Sequence, residues 1–214
     1  LSAPVAAGSG CIQSKVNVAR CSVGPITTIN VDAGDLDDRG TIGDTVDALV
    51  GGNVGNDELI SKNGDVTFDG GAGNDTIQPG KGTDSIGGGI GADTVTYADR
   101  GTEEAVTVDI DGAADDGNVD DLGTGGGDNV LTDMERIVGG AGGDDLRGSS
   151  IANRLTGGGG PDELRGLGGI DTILAAGDGQ IDNVLCGGGS ADHAFADPTD
   201  TVATSGPERC ELVN

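Results

Sequence analysis

The sequence predicts an all-β solenoid of short stacked strands, and three observations support this fold class. Of the 214 residues, 44 are glycine and only three are aromatic, too few to build the core of a conventional globular enzyme. Most of the 37 acidic residues are aspartate, which like glycine is a poor helix former, so a helical bundle is excluded. Repeats nine residues long then provide an ordered spacing, which neither a disordered acidic chain nor a flexible linker would show.

The charge of the chain limits its partners. With 37 acidic and 11 basic residues, the formal net charge is −26. Such a charge repels phosphate backbones and anionic lipid, which excludes nucleic acid and membrane surfaces as natural partners. The chain should instead attract cations.

The repeats form two blocks and follow the pattern G-G-x-G-x-D-x-U-x, in which U is a large aliphatic residue. The acidic or amide positions are spaced by nine residues: Asp75, Asp84, Asp93, then Asp144, Asn153, Asp162 and Asp171. Glycine allows the positive φ angles of a tight turn, and the aliphatic residue can anchor a short strand. Two repeats predict a coil of roughly 18 residues, which places Asp57, Asp75 and Asp93 on one edge. Asp84 is expected to stand alone on the opposite edge of this block.

Such turns offer the ligands that calcium prefers. Calcium takes 6–8 oxygen ligands in flexible geometry, so two facing turns can complete its coordination shell. The pattern resembles the repeats-in-toxin (RTX), or haemolysin-type, calcium-binding family. This resemblance implies a right-handed parallel β-roll with rows of calcium ions along its edges, bound by turn carbonyls and aspartates. The corresponding positions are Gly52, Asp57, Gly71, Gly73, Asp75, Gly80, Gly82, Asp84, Gly89, Gly91, Asp93, Gly140, Gly142, Asp144, Asn153, Gly158, Gly160, Asp162, Gly169, Asp171, Asp182 and Asp192.

Two turns depart from the pattern. Asn153 replaces an aspartate and follows Ser149 and Ser150 instead of glycines, so we expect a weaker site there. The turn from Gly51 to Asp57 contains one extra residue, which obscures the assignment of its carbonyl ligands.

The whole chain, 1–214, reads as a single solenoid. We divide it into N-terminal strands with a degenerate repeat, a first repeat block, an inserted coil, a second repeat block and a disulfide-closed end: 1–50, 51–97, 98–138, 139–185 and 186–214. Strand candidates outside the repeats lie at 15–19, 26–31 and 105–110. In the inserted coil we expect strands that continue the roll and an acidic loop that bulges outward. The alternative is further calcium binding at Asp115, Asp116, Asp120 and Asp121.

The cysteines fall into two local pairs, Cys11 with Cys21 and Cys186 with Cys210, although three pairings are formally possible. A zinc site is disfavoured because there is no C-x-x-C spacing and His193 is the only histidine. Local disulfides predict an oxidising compartment. Together with a sequence that starts at Leu1, they predict a secreted protein whose signal peptide has been removed.

The sequence favours a non-catalytic role. His193 has no evident catalytic partners, and three scattered aromatic residues cannot form a sugar-binding platform. Several calcium ions are expected to be required for folding. Two functions remain open: a calcium-stiffened rod that stacks end to end into an extracellular fibre or matrix, and a monomeric binding or adhesion module that presents residues 98–138 to a partner.

Overall fold

The structure is a computed structural model that describes residues 11–13, 19–21, 29–43, 47–118, 127–189, 191–204, 206 and 209–213. These residues form an all-β solenoid of about nine turns built on parallel sheets, which confirms the predicted β-roll. The described residues include no helix, and therefore none that is long and apolar enough to cross a membrane.

One face of the solenoid, face 1, is a continuous nine-stranded parallel sheet. Its strands succeed each other in chain order: β4 (Arg39–Thr41), β6 (Glu58–Ile60), β8 (Thr76–Gln78), β10 (Thr94–Thr96), β14 (Arg136–Val138), β16 (Arg154–Thr156), β18 (Thr172–Leu174), β20 (His193–Phe195) and β22 (Glu211–Leu212).

The opposite face, face 2, consists of two sheets. The first contains β3 (Ile29–Gly34), β5 (Ala48–Val54), β7 (Val66–Ala72), β9 (Ser85–Ile90), β13 (Asp128–Val130) and β12 (Ala114–Asp116). The second contains β11 (Thr107–Asp109), β15 (Asp145–Arg147), β17 (Glu163–Arg165), β19 (Asn183–Leu185) and β21 (Thr201–Val202).

Residues 98–138 widen face 2 where its two sheets meet. On face 1, β10 pairs directly with β14. On face 2, β12 lies antiparallel to β13, β11 pairs with β15, and a bridge between Thr107 and Gly117 joins the two sheets. Two additional strands are thus inserted on one face only, which adds about 10 Å at the usual strand spacing. This part of the chain is therefore largely built into the roll.

The core is a narrow stack of side chains between the two faces. In the two repeat blocks each three-residue strand turns its central residue inward, and the aliphatic residues of the repeats are all fully buried: Ile77, Ile86, Val95, Leu146, Leu155, Leu164 and Ile173. Phe68, Tyr97 and Met134 supply larger buried side chains around the insertion. Such a thin core buries little apolar surface per residue, so the turns must contribute much of the stability.

The two ends of the chain differ. Near the N terminus, β1 (Cys11–Gln13) and β2 (Ala19–Cys21) form an antiparallel pair in which Cys11 lies opposite Cys21, and their disulfide stays a prediction. Near the C terminus, the predicted disulfide between Cys186 and Cys210 is present, which excludes zinc binding by these two residues. Of the strands predicted at 15–19 and 26–31, residues 15–18 and 26–28 lie outside the described residues.

Candidate calcium-binding edges

The turns between the two faces form two edges of the roll. Edge 1 comprises the turns that lead into face 1, and edge 2 comprises those that lead into face 2. Edge 1 contains the predicted ligands Gly52, Asp57, Gly71, Gly73, Asp75, Gly89, Gly91, Asp93, Asn153, Gly169, Asp171 and Asp192. Edge 2 contains Gly80, Gly82, Asp84, Gly140, Gly142, Asp144, Gly158, Gly160, Asp162 and Asp182.

One carboxylate oxygen of each repeat aspartate ties neighbouring turns together. On edge 1, Asp75 Oδ1 accepts a hydrogen bond from the backbone N–H of Asp57 at 2.8 Å, and Asp93 Oδ1 accepts one from Asp75 at 2.7 Å. On edge 2, Asp162 Oδ1 accepts from Asp144 N–H and Asp182 Oδ1 from Asp162 N–H, both at 2.8 Å. The aspartates are thus linked into two rows by side-chain-to-backbone bonds, and each row follows one edge.

On edge 1, the second carboxylate oxygen is left without a protein partner. The Oδ2 atoms of four aspartates, Asp57, Asp75, Asp93 and Asp171, are buried and accept no hydrogen bond. A buried carboxylate oxygen without a partner is costly unless a cation or a donor satisfies it. These four oxygens are therefore suited to a metal ion.

A turn carbonyl converges on the same place as each of these oxygens. A Cβ atom added to Gly70 would lie 2.5 Å from both Asp75 Oδ2 and the carbonyl oxygen of Gly88, one coil further on. At Gly88 a Cβ would lie 2.7 Å from Asp93 Oδ2 and 2.8 Å from the carbonyl oxygen of Asp133. The first glycine of each turn is therefore required because a side chain would fill the space where oxygens of successive coils meet. Hard oxygen donors of this kind, carboxylate plus carbonyl, match calcium.

The turn that precedes Asp57 contains no extra residue, so the interpretation of an insertion is wrong. Asn53 pairs with Gly71 and Val54 with Ala72, which aligns the turn with the next one at the regular spacing. Asn53 therefore takes the place of the second glycine, with a φ of +74°. Asparagine is one of the few residues that tolerate this left-handed conformation, which explains the substitution.

Asn153 occupies the position of an aspartate in the row of edge 1. Its backbone N–H donates to Asp171 Oδ1 at 2.8 Å, as an aspartate would do. Its Oδ1 accepts from Ser149, from the backbone N–H at 2.7 Å and from the hydroxyl at 3.0 Å. The neutral amide and its serine donors leave less negative charge for an ion, in keeping with the weaker site expected here.

Edge 2 carries an open groove in the second repeat block. A cavity of about 480 Å³ is lined by Asp144, Asp162 and Asp182, among other residues. Both oxygens of Asp144 accept backbone hydrogen bonds, from Val106 at 2.8 Å and Gly140 at 2.6 Å. Asp162 and Asp182 each accept a backbone hydrogen bond of the row through Oδ1, so the groove combines fixed and available carboxylate oxygens.

The acidic residues of the inserted coil separate into two groups. Asp109, Asp111 and Asp115 bring carboxylate oxygens within 4.8 Å of one another on the outside of the hairpin. Asp116 is buried instead, and its oxygens accept from the backbone N–H groups of Asp109 at 2.7 Å and Val130 at 2.8 Å. Asp116 therefore links neighbouring strands through hydrogen bonds. Asp120 and Asp121 lie outside the described residues.

Three members of the two rows were missed by the sequence analysis. Asp84 does not stand alone on edge 2, because its backbone N–H donates to Asp128 Oδ1 at 3.0 Å. On edge 1, Glu135 Oε2 accepts from Asp93 N–H at 2.9 Å, and at the end of edge 2 Asp200 Oδ1 accepts from Asp182 N–H at 3.1 Å. The sequence does contain a signal, since Asp128 and Asp200 each precede a valine by two residues.

Burial raises the pKa of many of these carboxyl groups. Desolvation is the main cause at Asp93 and Asp182, where it raises the pKa to about 6, and at Asp162 and Asp171, where it raises the pKa to about 7. Repulsion between neighbouring carboxylates adds to the effect, while the backbone hydrogen bonds oppose it. Without a cation, the folded protein therefore binds protons more readily than the unfolded chain does.

We expect acid to restore structure to the calcium-free protein. Because the folded-state pKa values exceed the ordinary aspartate value, stability without calcium should rise as the pH falls from above 7 towards 4. Protons and calcium compete for the same carboxylates, so calcium affinity should fall over the same range. Far-ultraviolet circular dichroism of dialysed, calcium-free protein between pH 7.5 and pH 5 measures the first effect. A β-signal that decreases on acidification would contradict this prediction.

The comparison with known families agrees with this geometry. The profile of the RTX calcium-binding nonapeptide repeat matches four copies in the chain, over residues 51–86, 67–95 and 136–179. The matches cover the two repeat blocks and omit most of the inserted coil. Among curated proteins, none matches the chain.

Proposed function

Because the chain carries RTX calcium-binding nonapeptide repeats, we propose that it is an extracellular structural protein whose β-roll is held folded by several calcium ions and stacks end to end. The four buried, unpartnered aspartate oxygens of edge 1 support multiple ions. The Cys186–Cys210 disulfide fits an oxidising, calcium-rich compartment. Extracellular calcium modules work at dissociation constants of roughly 10⁻⁴–10⁻³ M, so the roll would form after export.

The observation that supports the stacking proposal is the strand edge that the described part of the chain leaves unpaired at each end of the roll. In the described residues, β3 and β4 are outermost at one end, and β21 and β22 at the other. The backbone N–H groups of Glu211 and Val213 donate to the carbonyl oxygens of Asp192 and Ala194, which leaves the N–H of Leu212 directed away from the roll. The Leu212 side chain is half exposed. Unpaired strand edges of this kind favour pairing with another chain.

The alternative function, an adhesion module that presents residues 98–138, has less support. Strands β11, β12 and β13 belong to the sheets of face 2, and Asp116, Asn118 and Asp128 are buried. A segment used mainly for presentation would expose these side chains. We therefore favour the structural role and propose no catalytic activity.

Sedimentation velocity tests the assembly. In millimolar calcium, we expect the wild-type protein to form polymers that dissociate when a chelator is added. Leu212→Pro removes the outward-facing N–H of β22 together with the half-exposed leucine side chain, and should shift the distribution towards monomer. Leu49→Thr, which alters a half-exposed side chain in β5, a strand paired on both sides within face 2, is the matched control and should assemble normally. A wild-type monomer in calcium would refute the stacking proposal and favour the adhesion module.

A further inference from the structure

A buried polar cluster lies on edge 2 where the inserted coil begins. Tyr97 is fully buried and Arg100 is 3% exposed. The Tyr97 hydroxyl donates a hydrogen bond to Asp128 Oδ2 at 2.9 Å. The Arg100 guanidinium donates to the carbonyl oxygen of Gly80 and lies over the Tyr97 ring, 5.7 Å from its centroid. A buried cation at a calcium-type turn is unusual in a chain with so few basic residues.

The backbone of Arg100 occupies a turn position that glycine occupies elsewhere on this edge. The N–H of Ala141 donates to the Arg100 carbonyl oxygen at 3.0 Å, just as the N–H of Gly159 donates to that of Gly140 at 2.9 Å. Arg100 is therefore equivalent to the second glycine of a repeat. Its turn stacks between the turn of Gly80 and the turn of Gly140, at a level where a regular roll would place an edge 2 site.

Both carboxylate oxygens of Asp128, which lies at this level, are satisfied by protein donors. Asp128 Oδ1 accepts from the N–H of Asp84, and its Oδ2 accepts from Tyr97. On edge 1, by contrast, the Oδ2 atoms of Asp57 and Asp75 have no donor. The carbonyl oxygen of Gly80, one of the ligands implied by the family resemblance, accepts a hydrogen bond from the guanidinium.

We infer that Arg100 takes the place of a calcium ion at this level of edge 2. The Tyr97 hydroxyl donates to the Asp128 oxygen that would otherwise require a cation. The inference rests on the proposed calcium-dependent roll. A fixed guanidinium supplies donors to the same oxygen types, and its charge repels a divalent cation nearby. An ion pair, Lys81 Nζ to Glu104 Oε1 at 2.8 Å, holds the same segment against the Gly80 turn.

This substitution divides the calcium row of edge 2 while edge 1 stays continuous. The insertion widens face 2 at this level, so the turns of Gly80 and Gly140 are separated by the longer 97–105 segment. A side chain attached to that segment can bridge the gap without an ion. The two repeat blocks should therefore bind their edge 2 calcium ions independently of each other.

Terbium luminescence tests this inference directly. Tyr97 is the only tyrosine and the chain has no tryptophan, so it is the sole efficient sensitiser of bound terbium. Tb³⁺ takes the oxygen ligands of calcium, and its sensitised emission falls steeply with distance from the ring. We expect weak emission from wild-type protein saturated with Tb³⁺. In Arg100→Ala the emission should rise roughly fivefold or more, and one additional calcium ion should bind per chain, because the Gly80 carbonyl is freed for a metal.

Arg136→Ala is the matched control. Its guanidinium also donates to a turn carbonyl, that of Ala92 at 2.8 Å, but it lies on face 1 and is only partly buried. Its emission should equal that of the wild type. Strong emission from the wild-type protein, unchanged in Arg100→Ala, would overturn the inference because an ion would then lie beside Tyr97 with Arg100 in place.

The experiment also separates this inference from the proposed function. If wild-type protein binds no calcium by equilibrium dialysis, the calcium-dependent roll itself is wrong. If it binds calcium but Arg100→Ala gains neither emission nor an ion, only the inference fails. Should Arg100→Ala not fold in calcium, Arg100→Gln, which removes the charge and keeps a polar side chain, takes its place, and the wild-type emission alone remains decisive.

Discussion

Removal of calcium is expected to unfold most of the β-roll. An ion that binds only the folded state stabilises it by about 2.7 kcal/mol at a hundred times its dissociation constant. Four edge 1 sites would thus contribute about 11 kcal/mol, comparable to the entire stability of a typical domain. Without the ions, the thin core must also overcome repulsion within a chain of net charge −26. Far-ultraviolet circular dichroism should show the β-signal in millimolar calcium and a largely disordered spectrum in excess chelator.

Two controls give this result a single interpretation. Both samples keep the Cys186–Cys210 disulfide oxidised, so that only the ions differ. Magnesium at the same concentration should not restore the signal, because its strict octahedral geometry and tightly held waters suit it poorly to a cage of turn carbonyls. If the β-signal were the same with and without chelator, calcium would not be a folding requirement and the proposed function would lose its basis.

The fold could be predicted because the residue types of the sequence repeat with the same period as the structure. The nine-residue spacing that ends in Asp75, Asp84 and Asp93 directly gives coils of two turns and two strands, and the buried Ile77, Ile86 and Val95 occupy the inward positions that this period requires. The path of residues 98–138 could not be predicted. Their extra strands depend on pairing between β12 and β13, and nothing in a local pattern fixes such a partner.

The site could be predicted only in part, for a similar reason. The repeat motif identifies which aspartates lie on an edge, but the difference between an oxygen left for a metal and one satisfied by the protein is set by distant residues. Tyr97 and Asp128 are 31 positions apart, and Arg100 reaches a carbonyl 20 positions earlier. Asn53 shows the opposite case, where one left-handed residue preserves a turn that appeared irregular in the sequence.

Each aspartate of the two rows has two tasks. One oxygen joins neighbouring coils through a backbone N–H, as Asp162 Oδ1 does with Asp144. The other oxygen faces the first glycine of its own turn, here Gly157. Any side chain at Gly157 must therefore displace the carboxylate, whereas a side chain two residues later in the same turn should not.

Gly157→Ala is accordingly expected to weaken the roll strongly. Its Cβ atom would overlap Asp162 Oδ2, so the carboxylate must move away. This movement breaks the hydrogen bond between Asp162 Oδ1 and Asp144 N–H and displaces the candidate ligand oxygen. The free energy of unfolding in calcium should fall by about 3 kcal/mol, in the upper range for a single substitution. Urea denaturation at fixed calcium, followed by circular dichroism, measures this loss, and the calcium midpoint of folding should shift upward by roughly tenfold.

Gly159→Ala is the matched control in the same turn. Its Cβ would meet no heavy atom closer than the Cα of Ala141 at 3.7 Å, and its φ is not positive. Alanine there costs no strain and restricts the unfolded chain, so stability should stay the same or rise by about 0.5 kcal/mol. If the two variants lost equal stability, glycine would matter in these turns only for backbone freedom. The paired oxygens of Asp162 and its neighbours would then no longer explain why the first glycine is required.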